Sequence, residues 1–128
     1  MNTKVVILIV SPPSDLQIGL QALLTTHLDV DVLVVGEGAS ALKVIERHNL
    51  SLVILDQDIP GNVVPTLVKN IKTNWPETQS LVLANDDHGR QALLDIGAES
   101  VVIKGLPGVK LIAEIQRLLR SKGNKPKE

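Results

Sequence analysis

Five short runs of aliphatic and β-branched residues recur along the chain: Val5–Val10, Val32–Val35, Leu52–Leu55, Leu81–Ala84 and Val101–Ile103. Continuous runs of this kind, without polar alternation, suit strands buried on both faces of a parallel sheet. Between them the apolar positions change to three- and four-residue spacing. Leu16, Leu20, Leu23 and Leu24 lead to Leu28 in the first interval. Leu42 and Ile45 mark a shorter second helix, and Val64, Leu67, Val68 and Ile71 a third. Leu93, Leu94 and Ile96 mark a fourth, and Leu111, Ile112, Ile115, Leu118 and Leu119 a fifth. Such stripes predict helices that lay one face on a sheet.

The punctuation between these segments agrees with the alternation. Ser14 stands where a hydroxyl can cap the first helix, and Gly97 where the fourth should stop. Ile59-Pro60-Gly61 is a turn signal, and Pro107-Gly108 precedes the fifth helical stripe. Strict strand–helix alternation predicts an α/β domain with a parallel sheet and right-handed crossovers. No internal repeat or linker divides it. Residues 1–120 are expected to form the domain, and the polar, lysine-rich stretch 121–128 a frayed tail.

Composition removes several functions. With no cysteine there is no disulfide framework and no thiolate chemistry. A net charge of −1 and a single aromatic residue, Trp75, give nucleic acid neither a charged footprint nor a stacking platform. The longest apolar run is too short to span a bilayer, so neither membrane nor nucleic-acid partners are expected, and a cytoplasmic location is.

In open parallel sheets the functional residues lie beyond the carboxyl ends of the strands. Two charges stand there. Asp56 follows the third apolar run and Lys104 follows the fifth. An amine beside a carboxylate can neutralise it, or hold a phosphoryl group added to it; a purely structural ion pair is the simpler alternative. Asn85, Asp86, Asp87 and His88 follow the fourth run and are read as a loop and helix cap rather than metal ligands. His27 and His48 are read as solvated, and Trp75 as a local hydrophobic plug.

The stretch Leu52-Val-Ile-Leu-Asp-Gln-Asp-Ile-Pro-Gly61 resembles the phosphoacceptor strand and turn of response-regulator receiver domains. Gly97-Ala-Glu-Ser-Val-Val-Ile-Lys104 resembles their fifth-strand motif. Leu16-Gln-Ile-Gly-Leu20 and Val34-Val-Gly-Glu37 are similar to the subfamily that often carries a helix-turn-helix output domain. The likeness runs over about residues 4–120. It implies a CheY-like, flavodoxin-like (βα)5 fold with strand order 2-1-3-4-5 and helices on both faces, an order carried over from the family. It also implies that Asp56 is the phosphoacceptor equivalent and Lys104 the phosphoryl contact. A histidine kinase or an output domain is the implied partner. The face of the fourth helix, fifth strand and fifth helix, with Glu114 and Arg117, is the implied docking or homodimer surface.

The chain departs from that family at four positions. Where receivers have two acidic residues that hold Mg²⁺, it has Ser11 and Pro12. Ala84 replaces the hydroxyl residue that ends the fourth strand, and Val101 replaces the aromatic of the fifth. Magnesium takes hard oxygen ligands, usually one or two carboxylates with water and phosphate. Mg²⁺ binding is therefore expected to be weak or absent. Asp15 and Asp58 are the weak candidates to complete a site: Asp15 reads as a first-turn helix acid, and Asp58 as a side chain without a required role. The expected function is a pseudo-receiver, a protein-interaction module independent of phosphorylation and not an enzyme. A phosphorelay receiver accepting phosphate on Asp56 is the alternative. Asp56-x-Asp58 also resembles the acidic pair of haloacid-dehalogenase-like phosphatases, but that family's pair opens its first core strand and its lysine precedes the pair. A flavin-type phosphate cradle is not expected, because Ser11-Pro-Pro-Ser14 lacks glycine.

Overall fold

The computed structural model describes residues 4–123. Five strands alternate with five helices: β1 (Val5–Val10), α1 (Asp15–His27), β2 (Val30–Val35), α2 (Gly38–Arg47), β3 (Leu52–Asp56), α3 (Val64–Asn74), β4 (Gln79–Ala84), α4 (Arg90–Asp95), β5 (Ser100–Ile103) and α5 (Gly108–Gly123). All strand pairs are parallel, in the order β2-β1-β3-β4-β5. This is the flavodoxin-like architecture, and its functional end lies beyond the carboxyl ends of β1 and β3.

Side chains alternate across each strand, which divides the core in two. Leu8, Val10, Val53, Leu55, Val82, Ala84 and Val101 face α2, α3 and α4. Ile7, Ile9, Leu52, Ile54, Leu81, Leu83 and Val102 face α1 and α5, meeting Leu20, Leu24, Leu111, Ile112 and Ile115. Residues 7–10 and 52–55 are fully buried, which explains why their apolar runs are unbroken. No helix among the described residues is long and apolar enough to cross a membrane.

Several boundaries differ from the sequence reading. β2 begins at Val30, two residues early, because exposed Asp31 interrupts the apolar run on an edge strand. Lys4 Nζ lies 3.6 Å from Asp31 and 3.4 Å from Asp29. β4 begins at Gln79 for a related reason. Buried Ser80 looks like a loop residue in the sequence, but its N–H donates to Glu99 Oε1 at 2.8 Å. The short helix is α4, with six residues, rather than α2, with ten. α5 continues to Gly123, three residues into the stretch expected as a tail; residues 124–128 lie outside the described part.

Local signals explain the corners that fix the site. Ser14 caps α1, its Oγ accepting the Gln17 N–H at 3.1 Å. Gly97 closes α4 at φ +125°, and a Cβ there would come within 2.8 Å of the Lys72 side chain. Both conformation and space therefore demand glycine. Trp75 ends α3, half-buried against the core shared by α2, α3 and α4.

Candidate functional site

β1 and β3 are neighbours at the centre of the sheet, so the residues at their carboxyl ends meet. Asp56, the last residue of β3, is only 3% exposed. Its two oxygens are both engaged. Oδ2 accepts the Ser11 hydroxyl at 2.8 Å, and Oδ1 accepts the Asp58 N–H at 2.9 Å. Lys104 reaches across from the end of β5 and places Nζ 2.6 Å from Asp56 Oδ1. The Lys104 N–H is itself held by the Ala84 carbonyl at 2.8 Å, which anchors the lysine beside β4. A buried carboxylate needs this set of partners, because an unpaired charge in the interior costs several kcal/mol.

Lys104 serves two acids. Its Nζ also donates to Asp58 Oδ2 at 2.9 Å. Asp58 is held from the other side by Asn85, whose Nδ2 donates to Oδ1 at 2.9 Å. The side chain that the sequence leaves without a role is thus a member of the cluster. The Asn85 hydrogen bond, followed by the Lys104 hydrogen bond and charge, lowers the pKa of the Asp58 carboxyl below the ordinary range. Burial alone would lower the Lys104 pKa. Hydrogen bonds to Asp56 and Asp58, with their charges, outweigh it and hold the ammonium above its ordinary value.

The network extends in both directions. Gln17, in the first turn of α1, donates through Nε2 to the Ser11 carbonyl at 2.7 Å. At the far side the Asn85 N–H donates to Gln57 Oε1 at 2.7 Å. A hydrogen-bonded chain therefore runs from α1 through Ser11, Asp56, Lys104, Asp58 and Asn85 to Gln57. The sequence pattern alone does not mark Gln17, Gln57 or Asn85 as site residues. Asn85 carried one usable signal, a polar residue directly after a strand that ends beside Asp56.

The remaining sequence candidates separate from this cluster. Pro12 offers no side-chain donor or acceptor. Ala84 and Val101 are 3% and 2% exposed and belong to the apolar core, not to the polar cluster. Asp15 is exposed in the first turn of α1, and no hydrogen bond or ion pair among the described residues joins it to Asp56. None of residues 85–88 caps α4 as expected: the helix starts at Arg90, and its N-cap is Gly89, at φ +96° and without a side-chain cap. Asp86 instead accepts the His88 N–H at 2.9 Å in a local turn. His27 is exposed, with Nδ1 3.1 Å from the Leu23 carbonyl.

Asp56 and Asp58 are the carboxylates of the cluster, and Ser11 and Pro12 add none. Both oxygens of Asp56 accept from protein donors, and Asp58 accepts from Lys104 and Asn85. Among the described residues, no three His, Cys, Asp or Glu side chains converge as metal ligands.

The family model described as Response regulator receiver domain matches residues 7–116. The chain belongs to this family. Among its relatives, the sensory transduction protein RegX3 of Mycolicibacterium smegmatis is 32% identical over 91 residues, covering 70% of this chain and 40% of that protein. The transcriptional regulatory protein RstA of Escherichia coli is 31% identical over 123 residues, covering 94% of this chain and 49% of that protein. The chain thus spans less than half the length of these curated relatives. In three dimensions it is similar to a CheY-like response regulator receiver domain from Methanospirillum hungatei. The TM-score is 0.86 at 16% identity, covering 97% of this chain and 100% of that one. Receiver domains are modules of two-component signalling.

Proposed function

We propose that this receiver works as a protein-interaction module whose surface does not depend on phosphorylation of Asp56. The observation that carries the reading is the state of that carboxylate: buried, and held by Ser11, Lys104 and the Asp58 N–H. Phosphoryl transfer to a carboxylate relies on positioning and charge neutralisation. Here Lys104 already divides its charge between two acids, and Ser11 and Pro12 bring no carboxylate to recruit a divalent cation. Ser11, Pro12, Ala84 and Val101 are on this reading the degenerate positions of a former switch, in a cytoplasmic, non-enzymatic domain that runs through the end of α5. The second reading, a phosphorelay receiver, is favoured by one observation: Asp56 and Lys104 still meet as a phosphoacceptor and its lysine would.

The docking surface on this reading is the face of α4, β5 and α5. A groove of about 330 Å³ lies there, bordered by Arg90, Val102, Leu106, Lys110 and Glu114. A histidine kinase or an output domain is the class of partner that fits the family.

Intact-mass measurement after acetyl phosphate and Mg²⁺ treatment tests the proposal. No phosphoryl adduct is expected on the unmodified protein. The variant Ser11→Asp, Pro12→Asp should gain a Mg²⁺-dependent rise in stability. At ten times its Kd, a bound ion contributes about 1.4 kcal/mol. A stoichiometric adduct on the unmodified chain, absent in Asp56→Asn, would establish the phosphorelay reading instead.

A further inference from the structure

α1 differs from the other long helices in what it shows to solvent. α2, α3 and α5 expose charges along their outer faces, including Lys43, Glu46, Lys69, Lys110 and Arg120. Between Asp15 at its first position and His27 at its last, α1 has no ionisable residue. Ile18 is 65% exposed, and Gly19, Gln21, Ala22 and Thr25 are exposed around it. A Cβ added at Gly19 would meet nothing within 4 Å, so this side of the helix is open. A single exposed isoleucine is unremarkable. An outer helix face without any charge, in a chain that is 21% charged, is a different matter.

We propose that the outer face of α1 is a self-association surface, on which a second copy of this chain packs its own α1 antiparallel across a twofold axis. The charge distribution selects the occupant. A twofold contact brings one face against itself, so a charge near the axis meets its own copy and is repelled. The central part of α1 carries none. Antiparallel pairing then lays the acidic end at Asp15 over the histidine end at His27, with opposed helix dipoles. A partner with a charged docking face would find nothing on α1 to pair with. The size of the contact sets its strength. Thirteen residues make a helix about 20 Å long, which offers less than the roughly 800 Å² per partner typical of stable complexes. The dimer is therefore weak and concentration-dependent.

Sedimentation from micromolar to millimolar concentration tests this on the whole chain. The unmodified protein should approach twice its monomer mass, and Ile18→Asp should stay monomeric with an unchanged unfolding midpoint. Because the chain has no cysteine, a single engineered one reports proximity directly. Ala22→Cys should form a disulfide-linked dimer at least about tenfold faster than Lys43→Cys on α2, since association raises the local thiol concentration. A monomeric unmodified protein throughout, or equal rates for the two cysteine variants, overturns the proposal. So does association that survives Ile18→Asp but is lost in Arg117→Glu, which would assign it to α5. None of these outcomes bears on phosphorylation, because neither Ile18 nor Ala22 touches the Asp56 network.

Discussion

Two carboxylates in this receiver are built to the same recipe and differ in depth. Asp56 is held by the Ser11 hydroxyl and the Lys104 ammonium. Glu114, on α5, is held by the Ser100 hydroxyl at 2.5 Å and by Arg117 Nη2 at 2.6 Å. The side chain of Asp56 is 4% exposed, whereas that of Glu114 is 25% exposed and its arginine 55%. In the first cluster water cannot replace a lost partner. In the second it can. Equivalent hydrogen bonds should therefore differ severalfold in energetic weight. The partners also differ in reach. Ser11 and Lys104 tie β1 and β5 to β3, while Ser100 alone ties α5 to β5 and the Arg117 pair stays within the helix.

The sharpest way to break this comparison is to remove each cation. Lys104→Met leaves Asp56 buried without a counter-charge and should destabilise the fold by ~3–5 kcal/mol in denaturant unfolding. Arg117→Ala should cost no more than ~1 kcal/mol. Equal costs would mean that solvent reaches Asp56 after all. A smaller effect comes from the serines. Ser11→Ala removes a hydrogen bond to a buried charge, worth ~1.5–3 kcal/mol. The double-mutant cycle with Asp56→Asn should show most of that cost vanishing once the charge is gone. The smallest effect is on pH dependence. The Arg117 hydrogen bond, opposed by burial and aided by Ser100 and the charges of Arg117 and Arg90, lowers the Glu114 pKa from 4.5 to about 2. A carboxyl depressed on folding contributes its full stability above pH 4.5 and loses it as pH falls towards 2. Acid titration of stability should therefore steepen in that window by on the order of 1 kcal/mol, after solvent screening. Glu114→Gln should remove that part of the slope, and an unchanged slope would assign it to other carboxyls.

The sequence is most readable where burial is complete. Residues 7–10 and 52–55 have apolar neighbours on both faces, so their runs are continuous and the strands stand out. It is least readable where a polar residue serves a strand: Asp31 on the open edge beside Lys4, and Ser80 paired with Glu99. The meeting of Asp56 and Lys104 was visible from their places at strand ends. The role of Asp58 was not, because spacing along a turn does not say where its side chain turns. Only the shared lysine and Asn85 decide that. The Gly89 cap of α4 is illegible for a similar reason: Asp86 gives its oxygen to the turn rather than to the helix.

Trp75 is the chain's single fluorophore of any strength, since there is no tyrosine or phenylalanine. It sits at the last turn of α3, where its N–H donates to the Ile71 carbonyl at 2.8 Å and its carbonyl accepts from Thr78 at 2.9 Å. That corner leads into the amino end of β4, at the opposite end of the strand from Asn85 and the Asp56 cluster. The emission of this protein is thus a gauge of whether the α3–β4 corner is folded. Intensity should follow the unfolding transition as one optical step, while events at the carboxylate end pass without a change in colour.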